Sequence, residues 1–393
     1  MATGVQLPPP ETVAVAHLPR RLDAWQWPFV PVDIASLVVF RVLFGLTMLV
    51  EAGRYLGMDF IGEYYVKPKF HFTYYGFDWV KPWPGIGMYV HFAVLGAAAL
   101  GVLLGFWYRL SATLLFVTFT YAFLLDQAYY LNHFYLVSLL CLLMVVIPAH
   151  RAGSLDAWRA KQMNSSTAPR WVLALLLAQL SIVYFYAGIA KLNGDWLRGE
   201  PFRSWLAPYA QTPVLGLFVG NEWGVQLFNY GGLIFDLAIV PLLLWKRTRV
   251  LAFVWAVTFH LLNAILFSIG IFPWLMIAAT TLYLRPDWPR LLWAKVKARF
   301  NSSTVQRFND STLQPFNPSI LQRRVAISLI SAYLAIQLLV PLRHLLYPGS
   351  VHWTEEGHRF SWHMKLRDKT RRPVSLLPTR AAAAPGKSAH AIT

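Results

Sequence analysis

Lys191, Asp126, Asp236, His133, His260 and Arg41 all fall inside or at the ends of long apolar runs, where an ionisable side chain is expensive. Residues kept in such places line polar cavities, pair with one another or move protons. Lysine, histidine and carboxylate side chains are the usual material of proton transfer, because burial and neighbouring charges shift their proton affinities by several units. Asn132 and Asn263 add neutral donors and acceptors beside two of the histidines. Metal chemistry has less to work with. Cys141 is the only cysteine, so no cysteine cluster and no intrachain disulfide can form, and we expect no metal.

The elements that must carry these residues are membrane spans. The chain is 56% hydrophobic and 13% charged, about half the charge of a soluble domain, so a single soluble core cannot absorb its apolar surface. Its 17 Trp suit the interfacial belts of a bilayer. Stretches of about 20 apolar residues occur at 32–50, 86–106, 110–126, 131–148, 170–191, 225–245, 250–268, 271–284 and 325–346. The eighth is short and carries Pro273, so it either crosses or re-enters. The expected fold is an all-α polytopic membrane protein with about nine transmembrane helices.

The net charge of +17 sits in short loops such as Arg20–Arg21, Arg109, Arg151–Arg170, Lys246–Arg249 and Arg285–Arg299. All of them fall on one side if nine spans alternate, which puts the N-terminus inside and the C-terminus outside. This bias accounts for the basic balance without nucleic acid, and no helix-turn-helix or zinc-finger spacing is present. The polar, Pro-rich stretch 1–31 lacks a cleavable signal pattern and is read as a cytoplasmic tail. Residues 32–347 form the transmembrane domain. Within them, 300–323 repeat Phe-Asn-x-Ser at a period of eight, a polar cytoplasmic insertion. Residues 371–393 are rich in Ala, Pro and basic residues and are expected to be disordered.

With that topology most of the polar residues share one depth. Lys191, Asp126, Asn132, His133, His260 and Asn263 lie at outer span ends, next to an outer loop bearing His71, Tyr74, Tyr75 and Trp79. Asp236 and Arg41 lie mid-span. Simpler readings exist for each. Lys191 could snorkel to the headgroups, with Asp195 and Trp196 forming an interfacial loop. A histidine at a helix end could be a cap. Arg41 and Asp236 could be a structural ion pair between helices. Co-location of several such groups is what favours a site.

The stretch Tyr184-Phe185-Tyr186-Ala187-Gly188-Ile189-Ala190-Lys191-Leu192-Asn193-Gly194-Asp195-Trp196 resembles the vitamin K-dependent γ-glutamyl carboxylase family, the horizontally transferred transmembrane domain group. Further matches follow in order: Leu124-Leu125-Asp126 with Asn132-His133-x-Tyr135-Leu136, Gly231-Gly232-Leu233-x-x-Asp236-Leu237, Phe259-His260-x-x-Asn263, and Trp353-Thr354 with Phe360-Ser361-Trp362. The resemblance runs from about residue 32 to 368. It implies that Lys191 is the catalytic base that deprotonates reduced vitamin K (phylloquinol or menaquinol), and that His133 is the histidine needed for turnover. Animal members carry two adjacent lysines; Ala190 replaces the first here. Asn132 stands beside that histidine, and with Asp126, His260, Asn263, Asp236, Arg41, Tyr184 and Trp196 it is expected to bind the quinone or support the site.

The implied reaction is physically demanding. The γ-hydrogen of glutamate is too weak an acid for any side chain, and oxidation of a quinol by O₂ can supply the missing driving force before CO₂ adds. A lysine must be neutral to begin it; burial in an apolar pocket lowers a lysine pKa by as much as about 3–5 units, and a dry pocket spares a strong base from water. The family continues beyond Trp362 into an extracytoplasmic β-rich domain, of which 348–370 are read as a remnant. Alternatives are therefore an uncoupled quinol epoxidase and a non-enzymatic quinone- or lipid-binding membrane protein. Expected partners are the bilayer, a quinone and a glutamate-containing protein or peptide. The expected location is the cell membrane in a bacterium or the endoplasmic reticulum in a eukaryote, with the site facing outward.

Overall fold

The computed structural model describes residues 25–300 and 319–363, apart from Val214 and Ser268. Of the expected insertion 300–323, residues 301–318 lie outside them, as do the N-terminal 24 residues and the expected disordered tail, whereas Phe300 and Ile320–Arg323 are helical rather than part of a polar loop. Where the sequence shows nine apolar runs, nine apolar helical segments form among the described residues. We label the helices α1 (Ala35–Gly57), α2 (Gly87–Leu104), α3 (Tyr108–Leu124), α4 (Asn132–Val146), α5 (Arg170–Ala190), α6 (Glu200–Leu206), α7 (Glu222–Leu244), α8 (Arg249–Leu266), α9 (Phe272–Thr280), α10 (Trp288–Phe300) and α11 (Ile320–Leu339). Among the described residues six helices, α1, α2, α5, α7, α8 and α11, are long and apolar enough to cross a membrane, α11 with its 3-10 continuation to Leu346. The apolar segments of α3, α4 and α9 are shorter. The only sheet among the described residues pairs Pro31–Asp33 with Thr167–Pro169, antiparallel.

Sequential packing builds the bundle: α1 lies on α2, α2 on α3 and α3 on α4, while α5 packs on α7, α7 on α8 and α8 on α9, and α9 joins the two sets by packing against α1. The core between them is almost wholly apolar, with Phe40, Phe44, Met48, Leu95, Leu115, Leu176 and Phe235 fully or almost fully buried. Burial of such side chains contributes about 25 cal/mol per Å² only where water is the alternative. Lipid-facing surfaces gain from packing instead.

Several features differ from the sequence reading. Helix α1 continues to Gly57 rather than stopping near residue 50. The apolar run does end there, but Arg54 Nη1 donates to Glu51 Oε2 at 2.6 Å, so the two charges that interrupt the pattern neutralise one another on one helix face. The described part of 348–370 holds a short helix, Val351–Thr354, and turns to residue 363, with no strand among the described residues.

Arg41 requires a correction. It does not meet Asp236. It sits in the second turn of α1, 1% exposed, and donates through Nη1 to the Ala149 and Ala152 carbonyls (3.1 and 3.3 Å) and through Nη2 to Gly153 (2.6 Å). A long side chain near a helix start reaches loop carbonyls more easily than a partner deep in the bundle. These carbonyls follow the C-terminus of α4, a helix length of roughly 22 Å at 1.5 Å per residue from Asn132. Helix α2 makes room by stopping at Gly105, at φ 62°, where a Cβ would lie 2.8 Å from Arg41 Nη1. Arg41→Leu removes these bonds and leaves the carbonyls unsatisfied. We expect a loss of at least the roughly 1.5–3 kcal/mol of one charge-assisted bond, read as a lower melting temperature in detergent. An unchanged melting temperature would show that the loop carbonyls find other partners.

Candidate functional site

The C-terminus of α5 is shaped to present Lys191. Gly188 lets α5 approach α7 closely: a Cβ there would lie 2.5 Å from Leu237 Cδ2. That approach brings Lys191, the C-cap of α5, against Asp236 on α7, and Nζ donates to Asp236 Oδ2. The two residues are 5% and 6% exposed, so this ion pair is shielded from water. Past Lys191 the chain turns sharply. Asn193 Nδ2 donates to the Ala190 carbonyl (2.9 Å) and its Oδ1 accepts from Trp196 N–H (3.0 Å), capping a one-turn helix. The cap swings Trp196 back so that Lys191 Nζ lies 5.2 Å from its ring centroid. Trp196 Nε1 donates to the Asn229 carbonyl (3.2 Å) and Asn229 Nδ2 donates to the Trp196 carbonyl (2.6 Å), so the indole is pinned to α7 from both ends.

Helix α8 supplies the facing wall. His260 is 2% exposed, and its Nε2 meets Tyr184 Oη at 2.9 Å. Asn263 lies one turn further along. Phe259 stacks on Phe235 with centroids 3.7 Å apart, which fixes the turn of α8 from which His260 projects. Helix α9 adds Phe272 and Met276, and the short helix α6 roofs the space with Phe202, Ser204 and Trp205. Outside the roof, Arg203 bridges Glu200 and Glu222 at 2.7 and 2.6 Å, exposed pairs worth little individually. Together these elements enclose a cavity of about 480 Å³.

Six of the ten residues singled out in the sequence line this cavity: Lys191, Asp236, Trp196, Tyr184, His260 and Asn263. The other four stand elsewhere. His133, at the start of α4, is not among the lining residues; its ring lies 5.4 Å from that of Phe272, which does line the cavity and itself lies 6.3 Å from His260. Asn132 is turned toward the C-terminal segment: it donates to the His363 carbonyl and accepts from Tyr130 Oη at 2.8 Å. Asp126 staples the loop between α1 and α2. It accepts from Phe72 N–H (3.3 Å) and Ala128 N–H (2.8 Å) and lies 3.2 Å from His71 Nδ1. Arg41 serves the opposite end of α4.

The residues that sequence reading missed are the aromatic walls, Phe202, Trp205, Phe228, Phe267 and Phe272. Aromatic side chains in apolar runs carry no signal of their own. A hint lay in the loop after Lys191, where Trp196, Phe202 and Trp205 crowd a stretch too short to span. The segment docked on Asn132 carries its own electrostatic mark. Burial, with His344 and His352 beside it, holds the His363 imidazole down at about 4, so it is neutral at pH 7.

Comparison with known proteins adds two matches. A family model described as the HTTM domain matches residues 29–288, and one described as the vitamin K-dependent gamma-carboxylase lumenal domain matches residues 322–376. The second match begins inside α11. No solved structure matches the chain.

Proposed function

Since the chain belongs to the vitamin K-dependent γ-carboxylase family, we propose that the cavity at Lys191 binds reduced vitamin K, and that the protein couples quinol oxidation by O₂ to carboxylation of glutamate in a protein or peptide. The observation that carries this reading is a lysine buried in an aromatic cavity with a carboxylate as its only charged partner among the cavity-lining residues. The cavity falls within the roughly 300–1,000 Å³ usual for small-ligand sites. Its walls suit a flat fused ring: Trp196, Phe202, Trp205, Phe259 and Phe267 offer faces and edges. Its few polar groups, Lys191, Asp236, His260 and Asn263, suit the two ring hydroxyls. When bound, the quinol supplies through its oxidation a driving force that no side chain can provide.

The chain's own residues prepare the proton transfer. Lys191 takes up a proton only as a neutral amine. Moving one proton from Nζ to the Asp236 carboxylate converts the ion pair into an amine and an acid, a pair without separated charge that a water-poor cavity accommodates. This amends the expectation that burial alone prepares the lysine. Trp196 covers Nζ and keeps water from it. His260, oriented by Tyr184, and Asn263 are placed to hold the ligand's oxygens. His133 touches Phe272 and acts on the reaction through that ring's position. Nine crossings with basic loops inside would place this end of the bundle on the extracytoplasmic side, where the lumenal-type segment also docks.

The direct test is the purified protein in detergent, given reduced vitamin K, O₂, ¹⁴CO₂ and a glutamate-containing peptide. We expect quinone epoxide and labelled carboxyglutamate together. Epoxide without carboxylation identifies an uncoupled epoxidase; neither product sinks the enzymatic reading.

A further inference from the structure

Helix α10 has no part in the cavity, yet its surface is organised. Its sequence from Trp288 to Phe300 contains no acidic residue. Leu292, Trp293 and Val296 are 54%, 71% and 40% exposed, an apolar stripe on one side of the helix. Lys295 and Lys297 are also exposed. At 3.6 residues per turn they point about 100° to either side of Val296, so a cation borders the stripe on each flank. A helix of 13 residues falls short of the roughly 17–25 needed to cross. It cannot stand far from the bilayer either, because it starts five residues after Tyr283, the end of the apolar α9 segment. Two bonds tie it to the start of α1. Ser36 N–H donates to the Pro286 carbonyl at 3.1 Å, and Arg290 Nε donates to Asp33 Oδ1 at 3.0 Å. Trp107, in the turn after α2, and Trp158, on the short helix Leu155–Arg159, are exposed at this same end and suggest where the interface runs.

We propose that α10 lies in the plane of the membrane surface, with Leu292, Trp293 and Val296 sunk among acyl chains and Lys295 and Lys297 on the phosphates of anionic phospholipid. Charge complementarity selects that occupant. A stripe bordered on both flanks by cations matches a layer that is apolar inside and negative at its surface.

The test uses the full chain with a nitroxide on a cysteine introduced as Leu292→Cys or, separately, Val296→Cys. Cys141 is completely buried and is left in place. The protein is reconstituted in nanodiscs of phosphatidylcholine alone and of phosphatidylcholine mixed with phosphatidylglycerol. Accessibility to O₂ is compared with accessibility to a water-soluble nickel chelate. Both labels should favour O₂, more strongly with phosphatidylglycerol, and Lys295→Glu with Lys297→Glu should remove that increment. Labels open to nickel in both lipids place the stripe in water, available to a protein, and overturn the proposal. Labels shielded from both reagents place it against protein and overturn it as well. Depth that ignores lipid charge overturns the headgroup assignment.

Discussion

Lys191→Arg abolishes quinol epoxidation as completely as Lys191→Ala does. Under the proposed function the side chain at this position must surrender its proton and take another, and guanidinium stays protonated, with a pKa above about 12. Arginine keeps the positive charge, the partnership with Asp236 and the contact with Trp196. It therefore preserves everything a structural lysine would do and removes only the chemistry. The expected loss is about 10² or more in turnover, at the lower end of what a general base contributes, measured as epoxide formed per folded protein. A small exogenous amine added to the Ala variant should restore part of the activity, most at high pH, where the amine is unprotonated. Near-normal epoxidation by the Arg variant would return Lys191 to the role of an interfacial or structural cation.

The distinction bears on what was legible in the sequence. Apolar run length locates all nine apolar helical segments to within a few residues, because helix length is set by the apolar thickness it must fill. The exceptions are the end of α1, where an internal pair, Glu51 with Arg54, mimics a break, and the start of α11, where a capping box of Ser319 and Gln322 opens the helix five residues before the apolar run. The gathering of Lys191, His260 and Asn263 at one level followed from counting turns from span ends. Partnerships did not. The sequence offers Asp236 as a candidate partner for Arg41, since depth along a span says nothing about which face a residue occupies. What joins Asp236 to Lys191 is the close approach of α5 and α7 at Gly188, a packing property that involves no charge. Asp126 and Asn132 are legible as polar residues at span ends, but each has a backbone partner in a remote segment, at Phe72 and His363. Such pairings belong to tertiary structure and leave no spacing to read. The aromatic lining was invisible for a different reason: cavity walls and lipid-facing surfaces draw on the same residue types.

The Lys191–Asp236 pair makes a second large effect measurable. Lys191→Met leaves an aspartate with its charged partner gone, and Asp236→Asn leaves a lysine in the same condition, each in a site almost free of water. Breaking a buried pair from one side costs about 3–5 kcal/mol, so both single variants should melt well below the parent in detergent. The double variant Lys191→Met with Asp236→Asn removes both charges and should recover most of that loss, because an uncharged pair in an apolar site can be as stable as the ions it replaces. It should nevertheless be inactive. Stability and turnover then separate: the first follows the balance of charge, the second follows the amine. If the double variant is as unstable as the sum of the singles, the two residues are not energetically coupled, and the ion pair no longer explains how Lys191 is held. If Asp236→Asn keeps full epoxidation at every pH, the carboxylate is not the group that relieves Lys191 of its proton, and burial alone regains its place in the argument.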